Sequence, residues 1–179
     1  MKNAKPYVKP NWKSYLNQKG IFSYGIPTAV LCLIIYYFLR GEDMLFTAIG
    51  ADLWIPVFVT VFICALTAIP GVASDVKKGK APEMPLSKDV HPSFRHLSDN
   101  TVIQSLQFAF FATLIFAMIP GGIFAVIASM AKNPDLSISA NLYWVLKSLY
   151  SGIFVAATLK RVTYTAVAQR QKTMGQRVY

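Results

Sequence analysis

Residues Val102 to Ala131 read VIQSLQFAFFATLIFAMIPGGIFAVIASMA, 30 positions without a charged side chain. About 20 predominantly apolar residues suffice for a helix to cross a bilayer, so this stretch is read as a membrane-spanning helix. Near its middle stand Pro120, Gly121 and Gly122. Proline removes a backbone donor and crowds the preceding turn, and two adjacent glycines loosen the chain further. The third span is therefore expected to kink there, and these three residues are its candidate hinge. Along one side runs a stripe of small residues at every fourth position: Ala109, Thr113, Ala117, Gly121, Ala125 and Ser129. In lipid, close packing drives helix association, and such a stripe lets a second helix approach.

Three further apolar runs flank this one. Ile21–Leu39 is read as the first span, Leu53 to about Val72 as the second and Asn141–Leu159 as the fourth. Asp52 is placed to cap the second helix, and Pro70-Gly71 to end it or kink its last turn. Ser98, Asp99 and Asn100 offer caps for the third. Ser148, Gly152 and Ala156 repeat the small-residue spacing on the fourth. The remaining segments are a basic arm over residues 1–20, a long loop over 73–101 and a basic tail over 160–179. The opening of that tail, VTYTAVA, can carry the fourth helix past the membrane. Met44–Ala51 and Leu136–Ala140 are short apolar connections.

Charge fixes the expected topology. Of 18 Lys and Arg, five precede residue 20, five lie between residues 77 and 95, and five follow from Lys160 onward. Only Arg40, Lys132 and Lys147 fall toward the other side. Cytoplasmic loops carry the excess of Lys and Arg, so both termini are expected in the cytoplasm. The fold class is an all-α integral membrane protein of four transmembrane helices, expected in a bacterial inner membrane. The net charge of +10 is read as topology and attraction to anionic lipid headgroups, not as a nucleic-acid surface. The arm is read as lying on the membrane, because Pro6 and Pro10 oppose a long helix and Tyr7, Trp12 and Tyr15 suit the headgroup layer.

An offset of 89 residues sets Ala51-Asp52-Leu53-Trp54 against Ala140-Asn141-Leu142-Tyr143. Each begins an inward-going helix, so the chain is a candidate for two tandem hairpins related by a pseudo-twofold axis along the membrane normal.

Few residues promise chemistry. Lys147 lies inside the fourth span, about 9 Å along the axis from Asn141 at ~1.5 Å per residue. An ionisable residue in a span is a functional candidate by default. It is also close enough to the surface to snorkel, or to pair with Asp52 or Asp135. With Gln104 and Gln107 it forms the candidate polar pathway. Cys32 and Cys64 sit in apolar runs and form no CxxC or zinc pattern. His91 and His96, five apart around a proline, do not make a helical metal pair. No span contains an acid, and there is no phosphate loop, dinucleotide fingerprint or nucleophile elbow. The reading is therefore of a non-enzyme without cofactor or metal. Two functions fit it. The first is a subunit that packs into other membrane helices to stabilise, assemble or regulate a larger complex; the alternative is a small homo-oligomeric transporter or channel.

Overall fold

A computed structural model of the chain describes residues 11–39, 42–83, 97–133 and 135–173. Four helical spans are long and apolar enough to cross a membrane: Trp12–Phe38, Phe46–Lys77, Thr101–Met130 and Ala140–Gln171. The protein is a mostly helical, multi-pass membrane protein. The first span comprises α1 (Trp12–Asn17), a π-helical stretch (Gln18–Gly25) and α2 (Ile26–Leu39). The second is α3 (Ile49–Lys77), entered through a 3-10 turn (Phe46–Ala48). The third joins α4 (Thr101–Thr113) to α5 (Ile119–Met130) through a π-helical turn (Leu114–Met118), and the fourth is α6 (Ala140–Thr173).

Three helices outrun their sequence boundaries. The first begins at Trp12, not Ile21. Asn11 makes this possible, since its side chain accepts the Ser14 N–H and caps the new end. The second runs through Pro70 and Gly71 to Lys77. Val72, Ala73 and Val76 are buried beyond the proline, and that burial outweighs the lost hydrogen bond. The fourth continues from Leu159 to Thr173, burying Val162, Ala166 and Val167. Asp52 is not an N-cap: the helix starts at Ile49, which puts Asp52 in its first turn. Asn100 does cap the third span, accepting from Val102 N and Ile103 N.

The helices are interlocked. The first span packs against α6, α4 and α5 pack against α3, and α3 packs against α6. Each hairpin's first span thus rests on the second helix of the other hairpin. The core lies along the α3–α6 seam and the inner side of α4. The outer spans turn Val30, Leu31, Ile34, Phe110, Ile115 and Met118 outward, as a lipid-facing surface should.

At one end the connections between spans pair as a two-stranded antiparallel ribbon, β1 (Met44–Leu45) with β2 (Ser137–Ile138). This ribbon is absent from the sequence reading. It is closed by Phe46 N donating to Leu136 O at 3.0 Å and by Ala140 N donating to Asp43 Oδ1 at 2.9 Å. The opposite, basal end is polar. There Tyr15 donates to Asp75 at 3.0 Å, Lys19 pairs with the same carboxylate at 2.7 Å, and Trp12 Nε1 donates to Glu83 O at 2.7 Å. Trp12 also meets the Tyr164 ring, with centroids 5.1 Å apart. Residues 11–20 are therefore packed on the bundle rather than laid out as an arm.

Asp75→Ala removes the tie to Tyr15 of α1 and the tie to Lys19 in the π-helical stretch that follows it. Trypsin cleavage after Lys13 and Lys19 is expected to accelerate several-fold. The thermal midpoint should barely move, because a partly exposed ion pair contributes less than about 1 kcal/mol. Unchanged cleavage with a large drop in midpoint would mean that Asp75 serves the core and not the α1 attachment.

Candidate functional site

Lys147 is the residue that demands a partner. It lies two turns into α6 and is only 5% exposed. Asp52, one turn into α3, meets it: the Lys147 ammonium donates to Asp52 Oδ2 and forms an ion pair with it. The Tyr143 hydroxyl, one turn earlier on α6, donates to the same oxygen. The rings of Tyr36, Tyr143 and Trp144 stand 5.0, 5.5 and 5.8 Å from the ammonium. A buried cation is thus met by a carboxylate and the faces of three aromatic rings, the two groups that compensate an ammonium away from water. The pairing partner is Asp52; Asp135 lies in the exposed turn before β2. Ser148 and Ser151 spend their hydroxyls on carbonyls of their own helix, Trp144 O at 2.8 Å and Lys147 O at 2.7 Å.

The proline of the third span is also served by α6. Pro120 has no N–H, so the carbonyl four residues back, Phe116 O, loses its helical donor. Tyr150 supplies one, its hydroxyl donating to Phe116 O at 2.8 Å. The π-helical turn Leu114–Met118 stands directly ahead of the proline. Gly121 presses on Gly50, so closely that a Cβ at Gly121 would lie 2.4 Å from Gly50 Cα. Gly122 has nothing within 4 Å of the same added atom.

The small-residue stripes are largely consumed inside the chain. Ala109, Thr113 and Ala117 are buried, and Gly121 meets α3, while Ala125 is half-buried and Ser129 exposed. On α6, Ser148 is buried, and Gly152 and Ala156 receive the first span at Gly25 and Ala29. Gly25 and Ala29 share the spacing of four, a signal that the sequence reading left unused.

At the basal end, Gln104 Nε2 donates to Gln169 Oε1 at 2.7 Å, and Gln107 Oε1 accepts the Ser98 N–H at 3.0 Å. Lys147 and Gln104 do not share a site. Between them α3 and α6 meet through Val57, Val61, Ala65, Phe154, Val155 and Leu159, which are sealed from solvent. Cys32 and Cys64 are free and half-buried. His91 and His96 lie outside the described residues, as do Arg40, Lys88, Arg95 and the arm's Pro6, Tyr7 and Pro10. Compared with protein-family models, curated proteins and solved structures, the chain matches none.

Proposed function

We propose that this chain is a non-catalytic membrane subunit that packs into a larger complex and stabilises, assembles or regulates it. It lies in a bacterial inner membrane with both termini in the cytoplasm and its basal end on anionic headgroups. The observation that carries the reading is the dry seam between the two polar clusters. An ion or proton pathway needs polar groups in series across the membrane. Here the stretch between Lys147 and Gln104 holds no buried charged side chain among the described residues. Six apolar side chains are sealed along the α3–α6 side, and the polar residues buried on α6 beside them are Ser151, whose hydroxyl is spent on Lys147 O, and the threonines Thr158, Thr163 and Thr165. Lys147 serves as a clasp between α3 and α6, and Pro120 follows a π-helical turn that interrupts the α-helix of the third span. The outer faces of the first and third spans are then what remains for other membrane helices.

The test is native mass spectrometry of the full chain purified in mild detergent from its own membrane, joined to flux assays in liposomes. A foreign partner at fixed stoichiometry, with no potassium or proton flux above protein-free vesicles, is expected. A homo-oligomer whose flux is lost on Asp52→Asn would sink the subunit reading in favour of a small transporter or channel with its path between copies.

A further inference from the structure

The two helices of the third span are held very unequally. α4 buries Gln104, Ser105, Phe108, Ala109, Ala112 and Thr113. α5, almost as long, buries Ala128 alone. α4 packs against α3 and also meets α6, while α5 rests on α3 and on the 3-10 turn Phe46–Ala48. The contacts there are small: Gly121 against Gly50, and the Phe124 ring edge-on to Phe46 at 5.1 Å. Among the described residues, no side-chain hydrogen bond or ion pair joins α5 to another element; the Ser129 hydroxyl is spent on Ala125 O of its own helix. Both ends of α5 also carry unusual backbone. At its start the π-helical turn Leu114–Met118 runs into Pro120, Gly121 and Gly122. Just past its end Lys132 holds a φ of 49°, in the left-handed region that a side chain enters at a cost. The π-helical turn itself is tied to α6. Tyr150 donates to Phe116 O, and the Phe116 ring meets those of Tyr150 and Phe154, with centroids 6.4 and 5.8 Å away.

We propose that α5 is a hinged bar, which swings off Gly50 and Phe46 as a rigid helix about residues 114–122 and Lys132, with the Tyr150 hydroxyl as its latch. α3, α4 and α6 stay in place. Segments that open locally are those with few buried contacts, and a hinge is a few residues at an element's end that absorb the backbone change. Pro120 has already removed one helical bond from the turn, so the swing breaks one fewer. In the closed state Phe116 O takes its donor from α6; on release the turn rearranges and that bond is given up. Closed, the ribbon end of the bundle presents α5; released, it presents Phe46 and Gly50 as well. Two surfaces at one place are what a regulated membrane contact requires, but the hinge does not depend on the subunit reading.

The test is double electron–electron resonance on the full chain in nanodiscs. Nitroxides are placed on introduced cysteines in a Cys32→Ala/Cys64→Ala background. Val126→Cys reports on α5 and Phe110→Cys on α4, each paired with Leu149→Cys on α6; all three positions are exposed. The 126–149 distances should fall into two populations and the 110–149 distances into one. Tyr150→Phe should raise the second population relative to the first by about fivefold, the effect of one hydrogen bond. Pro120→Ala gives position 120 an N–H for Phe116 O and should lower that population by as much or more. If Tyr150→Phe fails to fold, Pro120→Ala decides. A single 126–149 population in the parent protein would overturn the proposal. So would a second population shared equally by the 110–149 pair, or one unmoved by Pro120→Ala.

Discussion

Asp52→Ala is expected to lower the unfolding free energy by about 3 kcal/mol. Breaking a buried ion pair by removing one partner costs about 3–5 kcal/mol, because the other charge is left behind. The low end applies, since the Asp52 side chain is 31% exposed. The stranded group is Lys147, whose side chain is 4% exposed and is left with aromatic faces alone. Lys147→Met should cost less. It leaves Asp52 partly in contact with solvent and still accepting from the Tyr143 hydroxyl. The double variant Asp52→Ala/Lys147→Met should recover most of the loss, since apolar replacement of a whole buried pair is often neutral or better. Reversible unfolding by titrating SDS into mild micelles, followed by tryptophan fluorescence, gives the three values and their coupling. If Asp52→Ala lies within about 0.5 kcal/mol of the parent protein, the range of ordinary surface substitutions, the ion pair is not the clasp between α3 and α6.

Lys147 shows which parts of this protein are legible in sequence. A lysine in an apolar run stands out at once, and Asp52 is one of the two acids within reach. The aromatic surround is hidden, because Tyr36, Tyr143 and Trp144 stand near span ends, where Tyr and Trp are enriched simply as membrane-interface residues, and nothing linear brings the first span beside the fourth. The number of spans follows from uncharged length alone. Helix ends do not. Pro70 and Lys160 are stop signals in a lone helix, but the chain beyond each is buried against a neighbour, and tertiary burial overrides local preference. The ribbon of Met44–Leu45 and Ser137–Ile138 is too short to carry a period. Residue stripes announce close packing without naming the partner. Gly152 meets Gly25 and Gly121 meets Gly50, contacts between hairpins that no spacing within one helix encodes.

Gly121 and Gly122 are neighbours with opposite surroundings, and alanine is expected to separate them. At Gly121 a Cβ would lie 2.4 Å from Gly50 Cα and 3.2 Å from Gly50 N. Both atoms are backbone, so no flexible side chain can yield and α3 and α5 must move apart. Overpacking of this kind costs about 1–3 kcal/mol, and in lipid the lost contact is not replaced by any hydrophobic gain. Gly121→Ala should therefore destabilise by about 2 kcal/mol. Gly152→Leu belongs to the same class, with Ala29 Cβ at 2.8 Å and Gly25 O at 2.9 Å from the added carbon. Gly122→Ala meets nothing within 4 Å and should be neutral, or stabilising by up to about 1 kcal/mol through helix propensity. The same SDS titration reads all three. Equal, negligible effects at Gly121 and Gly122 would mean that the helices do not approach this closely in the membrane. Larger residues at Gly122 then probe function rather than folding. Gly122→Leu lies on the outward face beside Met118 and Val126. If it leaves the isolated chain's unfolding unchanged yet strips a co-purifying partner, that face is where the subunit docks. If it strips nothing, the docking surface lies elsewhere, with the outward face of the first span next in line.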